Sequence, residues 1–270
     1  MRNYVEKGIE KIDNETRKTI ATRYHTITRA INQEFWNSNS DEKHSLYVGS
    51  YGRGTAITTS DIDILVELPQ DEYERFDIAK GNGQSRLLQA VKSAIIYAYP
   101  RTDVKADGQV IVLVFSDGMK IEVLPAFLKE DWFGNTSYIY PDTNMGGNWK
   151  STNPKAEQET MNDKNRSSNG LFKDTCKYIR SIRDNYYSSY HLSGIVIDSF
   201  VYKAMSNWRW TPPDSVGSSA EPGTYEKVLY EYFCLHKWDM LYTPGSNQVV
   251  ETKGSYDCLE RILRRMADNV

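Results

Sequence analysis

A glycine–serine turn and an acid-headed apolar run stand close together between Tyr47 and Pro69. The first reads Tyr47-Val48-Gly49-Ser50-Tyr51-Gly52-Arg53-Gly54-Thr55, and the second Ser60-Asp61-Ile62-Asp63-Ile64-Leu65-Val66-Glu67-Leu68-Pro69. The stretch from Ile62 to Leu68 predicts a buried strand, and because side chains alternate across a strand, Asp61 and Asp63 share one face. Two adjacent carboxylates repel, and without a cation one of them takes up a proton. The economical arrangement is a divalent metal between them, with magnesium suited to oxygen ligands. The turn at Gly49-Ser50 brings backbone N–H groups and a hydroxyl close to an anion, and a short helix opening there adds its positive dipole end. Such a turn suits a triphosphate.

Glycine-serine, a spacer and Asp-x-Asp on a strand resembles the signature of the DNA polymerase β-type nucleotidyltransferase superfamily. The fuller wording, Gly-Ser-Tyr-Gly-Arg-Gly-Thr-Ala-Ile followed by Ser-Asp-Ile-Asp-Ile-Leu-Val, is similar more narrowly to the cGAS/DncV-like nucleotidyltransferases (CD-NTases). These are bacterial synthases of cyclic oligonucleotide signals in antiphage defence.

At 270 residues the chain can bury a sizeable core, as one large domain or two modest ones, and two lobes are expected. A formal net charge of −3 argues against the broad basic surface of a duplex-binding protein but leaves small anionic substrates open. Cys176, Cys234 and Cys258 are scattered and odd in number, which fits packing thiols in a reducing compartment. With no signal peptide or membrane span visible, the expected place of action is the cytoplasm.

Along the chain, apolar residues recur at helical spacing from Val5 through Ile9, Ile12, Ile20, Tyr24, Ile27 and Ile31 to Phe35, predicting one long amphipathic helix. The polar stretch 70–83 reads as a loop. A helix follows over 84–98, with Leu87, Leu88, Val91 and Ile95 on its stripe. The runs 109–115 and 119–125 form a hairpin through Ser116-Asp117-Gly118. Alternation puts Lys120, Glu122 and Leu124 on one face of its second strand, where a carboxylate among apolar neighbours needs a paired side chain or a metal. Residues 129–153 read as irregular strands and loops, and the lobe boundary falls between Pro154 and Asn165, giving domains 1–160 and 161–270.

In the second lobe, helices are predicted over 171–187, 194–208 and 224–242, with a last one capped by Ser255. The loop at 211–219 connects two of them. The segment 242–248 is either the edge of a nucleotide cleft or a plain connector. Lys173, Lys177, Arg180 and Arg183 line one flank of the 171–187 helix, which by residue pattern alone is a solvated surface. His25 and His44 have no convergent partners and read as surface or capping residues, and His191 and His236 read as structural rather than catalytic.

The resemblance implies an α+β fold: a polymerase β-type nucleotidyltransferase core, a mixed sheet with helices, packed on a C-terminal helical lobe, with a long N-terminal helix tying the lobes together. NTP and two Mg2+ ions, replaceable by Mn2+, bind between the lobes in this family. Ile-Glu-Val-Leu-Pro-Ala-Phe is similar to the strand carrying the third metal carboxylate, so Glu122 joins Asp61 and Asp63 as catalytic residue and metal ligand. Many superfamily members have aspartate there. Gly49 and Ser50 take the donor phosphates, and the family's basic helix points to Lys173, Lys177 and Arg180 as further nucleotide-binding residues. The implied activity is synthesis of a cyclic di- or trinucleotide with release of pyrophosphate, read by a downstream effector and sometimes controlled by regulatory proteins. The alternatives are a linear nucleotidyltransferase acting on RNA, a small molecule or a protein hydroxyl, and a degenerate member that only binds nucleotide.

Overall fold

The N-terminal helical pattern becomes a helix later than the apolar stripe predicts. In the computed structural model, α1 spans Asn14–Phe35, and the Asp13 carboxylate accepts the Thr16 N–H at its start. That cap satisfies an amide the first turn would otherwise leave unpaired, and it sets the boundary. Ile20, Tyr24, Ile27 and Ile31 are buried along one face of α1, while Val5 packs elsewhere, its N–H donating to Glu226 Oε1 at 2.8 Å. The structure describes residues 4–8, 12–211 and 220–268; Ile9 and most of the 211–219 loop lie outside them.

The chain divides into a sheet body, residues 13–52 and 61–154, and a helical body, residues 1–12, 53–60 and 155–270. After α1 the sheet body holds β1 (Ser45–Val48), α2 (Gly49–Arg53, whose last residue is assigned to the helical body), β2 (Ile62–Glu67), α3 (Gln70–Asp77) and α4 (Gly83–Ala98). There follow β3 (Asp103–Asp107), β4 (Val110–Val114), β5 (Lys120–Glu130), β6 (Thr136–Asp142) and β7 (Asn148–Thr152). The strand order is β1-β2-β5-β4-β3, with β6 and β7 continuing from the far half of β5. Among the described residues only β2 and β5 run parallel; the other strand pairs are antiparallel. The fold is thus α+β with a mixed sheet.

The 70–83 stretch is not the expected loop. Asp71 and Glu72 lie in the first turn of α3, where carboxylates favour the helix dipole, and Phe76 is buried from its last turn. β3 has only Val104 buried, and its remaining charged residues suit a sheet edge, so its sequence carries no strand signal. The predicted hairpin forms as β4 and β5, but β5 runs on to Glu130 and serves both halves of the sheet. The Asp117 carboxylate at its turn accepts from Arg23 on α1 at 2.8 and 3.1 Å, and the same guanidinium lies 3.8 Å over the Phe115 ring.

The helical body contains α5 (Pro154–Ser167), α6 (Leu171–Tyr186), α7 (Gly194–Ala204), α8 (Thr224–His236) and α9 (Tyr256–Asp268). α7 and α8 are shorter than their apolar stripes predict. Phe172, Cys176, Ile179, Val196, Ile197, Leu229, Leu259 and Ile262 share one core, each fully buried large aliphatic contributing roughly 1.5–3 kcal/mol. Ser255 adjoins α9 as expected, and its hydroxyl accepts the Ser193 N–H. The 242–248 segment is anchored on one side while Tyr242, Gly245 and Asn247 stay exposed: Ser246 Oγ donates to the buried Glu157 at 2.9 Å, and a Cβ on Gly245 would meet the Ala156 carbonyl oxygen at 2.3 Å.

One buried charge network organises this body. Asp198, fully buried on α7, accepts from Arg180 Nη1 at 2.7 Å, Arg53 Nε at 2.8 Å and Thr55 Oγ1 at 2.9 Å. Burial alone would raise its carboxyl pKa, but the two guanidinium charges and their hydrogen bonds outweigh burial and hold it down to about 2. Because the folded pKa lies below the ordinary 3.8, its stabilisation is present above that value and is lost as pH falls toward about 2. Asp198→Asn leaves two buried guanidinium groups without their anion, so stability should fall by about 3–5 kcal/mol, read from urea denaturation at neutral pH. The part of the acid-unfolding slope that belongs to Asp198 should vanish in the same variant.

Candidate active site

In the sheet body, the parallel pairing of β2 with β5 brings the predicted acids together. Asp63 stands directly opposite Glu122, with Ile62 opposite Ile121. Lys120 therefore falls beside Asp61, one step back along both strands. Asp61 and Glu122 keep 47% and 28% of their side-chain surface, so both reach solvent while rooted in a buried sheet. Lys120 Nζ lies 2.9 Å from Asp61 Oδ2 and 2.6 Å from Glu122 Oε1. Partial burial works against the ammonium charge, but hydrogen bonds to Glu122 and Asp61, and the charges of both, raise its pKa above the ordinary lysine value.

Val48, the last residue of β1, pairs with Asp63, and the chain turns into α2 immediately afterwards. Gly49 takes φ +58°, and a Cβ there would fall 1.7 Å from Asp63 Oδ2. The glycine is thus required twice, by its left-handed backbone and by the carboxylate lying against its Cα. The structure places Gly49, Ser50, Asp61, Asp63 and Glu122 in one body, the grouping that the resemblance implies.

The basic residues belong to the helical body and divide sharply. Arg180 is not available to a nucleotide: it is buried, and beyond Asp198 it donates to the Gly194 carbonyl at 2.9 Å and the Cys176 carbonyl at 3.2 Å. The helical stripe could not separate this arginine from its flank, because its anion sits on another helix. Lys173 is half-buried, with Nζ donating to Asn162 Oδ1 at 2.7 Å. It also lies against Gly54, where a Cβ would come within 2.7 Å of Nζ. Burial, helped by the like charge of Lys177, pushes the Lys173 pKa down. Lys177 is partly exposed on the same helix.

Two residues escaped the sequence reasoning. Lys120 was placed on the face of Glu122 without a role, although the i, i+2 alternation that put them there was itself the signal. Asp198 gave no signal at all. Two histidines have partners that the sequence did not show: His44 stacks on Trp36 and its Nδ1 meets Asn32 Oδ1, while His25 Nδ1 meets the Asp41 carbonyl. His25, Asp41 and Glu42 are close enough to hold an ion, but Arg29 already pairs with Asp41 at 2.7 Å.

Three carboxylates gathered on one sheet face are hard oxygen donors of the kind Mg2+ takes. An ammonium drawn between two of them marks the place as one where a cation is stabilised. The donor set fits a divalent metal.

This sheet and its acids define a polymerase β-type nucleotidyltransferase fold. The chain belongs to the family of the Second Messenger Oligonucleotide or Dinucleotide Synthetase domain (SMODS), whose pattern it matches over residues 4–165. It is 28% identical over 163 residues to a probable cyclic nucleotide synthase of Bacillus cereus (strain VD146), a match covering 56% of this chain and 48% of that protein. The chain therefore spans about half the length of that relative. Its fold is similar to the Rhodothermus marinus CdnE c-UMP-AMP synthase solved with Apcpp and Upnpp, at TM-score 0.63 and 16% identity, covering 93% of this chain and 91% of the other. It is also similar to the Vibrio cholerae DncV cyclic AMP-GMP synthase, a prokaryotic cGAS homolog, at TM-score 0.63 and 13% identity, covering 94% and 84%. These likenesses are to the CD-NTase fold.

Gly49→Ala should destabilise the protein by at least ~1–2 kcal/mol from backbone strain alone, with displacement of Asp63 adding to it. In thermal or urea unfolding, Arg180→Ala should cost about 3–5 kcal/mol and Lys173→Ala about 1 kcal/mol or less.

Proposed function

We propose that this protein is a nucleotidyltransferase that joins NTPs into a cyclic di- or trinucleotide signal in bacterial antiphage defence, working in the cytoplasm with Mg2+. The observation that carries the reading is the Asp63–Glu122 register beside Asp61, with Gly49 packed on the Asp63 carboxylate. Family membership supports it, as do the synthases whose fold is shared.

Asp61, Asp63 and Glu122 would hold the metal, which supplies charge neutralisation at the triphosphate and lowers the pKa of the attacking hydroxyl. Gly49 and Ser50 hold the donor phosphates through backbone amide and hydroxyl groups. Lys173, set beside Gly54, and Lys177 add positive charge for the triphosphate. The acceptor ribose oxygen forms a bond to the α-phosphorus as the bond to pyrophosphate breaks. The hydroxyl proton passes to a carboxylate within reach, for which Glu122 is the candidate. A second transfer within the linear product closes the ring and releases a second pyrophosphate; in a trinucleotide the second transfer adds another NTP, and the third closes the ring, each releasing pyrophosphate. An effector that binds the product would complete the signal.

Incubation with all four labelled NTPs and Mg2+ or Mn2+, then phosphatase treatment and mass analysis, should give a phosphatase-resistant cycle. A product with a removable terminal phosphate, or a labelled RNA or protein, points to the linear transferase instead. Asp61→Asn combined with Asp63→Asn should lower pyrophosphate release roughly a thousandfold or more while the circular dichroism spectrum is kept. Near-wild-type turnover in that variant would sink the mechanism.

A further inference from the structure

Lys120 holds the acid cluster in a way the proposed reaction does not use. Its ammonium bridges Asp61 and Glu122, two of the three carboxylates assigned to the metal. Strand geometry dictates the position, since Lys120 and Glu122 are alternate residues of β5 and Lys120 falls beside Asp61 across the pairing. On the other side, β4 offers Val112 opposite Glu122 and Val114 opposite Lys120, so that strand brings no competing cation. The glutamate's extra methylene lengthens its reach back along the strand toward Lys120. With 36% of its side chain exposed, Lys120 has solvent into which its flexible stem can swing.

A divalent ion on Asp61 and Glu122 would sit where the ammonium now makes its contacts, and like charges at such separation repel strongly. We propose that Lys120 is the resident counter-ion of the carboxylate cluster, offsetting part of its charge while metal is away and displaced when a divalent ion takes Asp61 and Glu122. The inference rests on the metal-dependent reading above and adds a residue that sets the threshold for metal entry. Metal binding without nucleotide is then weak by design of the strand, and removal of the ammonium tightens it.

The test is Mn2+ titration without nucleotide, followed by the paramagnetic resonance of the free ion, for wild type, Lys120→Met and Lys120→Arg. Methionine keeps the apolar stem and removes the charge. Lys120→Met should bind Mn2+ about tenfold tighter, a modest figure because the ammonium is partly exposed, and Lys120→Arg should stay near wild type. In EDTA, Lys120→Met should melt below wild type and gain more from added metal. A second measurement uses the wild-type protein itself: with 13C-labelled lysine, the Lys120 Cε signal, assigned by its loss in Lys120→Arg, should shift on addition of Mg2+. Equal Mn2+ affinity in wild type and Lys120→Met, or a Lys120 signal unmoved at saturating Mg2+, overturns the counter-ion role and leaves the metal reading standing. If neither protein binds Mn2+, both fall together.

Discussion

The structure turns on forcing acids together. The parallel pairing of β2 and β5 sets Asp63 opposite Glu122 and brings Asp61 alongside, an arrangement that mutual repulsion opposes unless positive charge is supplied. The sheet can impose it because Ile62, Ile64, Leu65, Ile121 and Val123 around these acids are buried, and a one-residue slip would turn the apolar set toward solvent. Gly49 completes the constraint by giving the Asp63 carboxylate a surface without a Cβ. Register, burial and one missing methyl group thus fix the geometry of the acid cluster.

The signature around Gly49 has two halves with different duties. Gly49 and Ser50 open α2 in the sheet body, whereas Arg53 and Thr55 are built into the Asp198 network of the helical body. Arg180 shares that anion, and the two guanidinium groups stabilise one carboxylate that burial alone would neutralise. Beyond the Gly49-Ser50 turn, the second half of the stretch is a buried anchor. The basic flank of α6 divides in the same way, with Arg180 committed to the core and Lys173 beside Gly54.

What the sequence made legible were features with a local cause. The Asp61-Ile62-Asp63 alternation, the Ser116-Asp117-Gly118 turn and the stripes of α4, α6 and α9 each follow from neighbours in the chain, and each forms. The failures are tertiary. Asp13 stops the first helix short of an apolar stripe that continues past it, and Val5 is buried in a different body. β3 is a strand because β4 lies beside it, not because Asp103-Val104-Lys105-Ala106-Asp107 prefers to extend. α3 escaped because a single buried Phe76 makes no period. Arg180 looked like its neighbours on α6 until Asp198, eighteen residues away, came to meet it.

Asp61 and Lys120 are 59 residues apart, yet they touch only because β2 and β5 run side by side. The β4–β5 hairpin can close through its three-residue turn early, since a short loop loses little entropy on closure. The parallel pair must wait for the long connection through α3, α4, β3 and β4 to be ordered. A nascent chain that has exposed its Gly-Ser turn and both aspartates therefore still lacks its third acid. The cluster matures late on the folding route, so an unfinished chain holds the signature without the site.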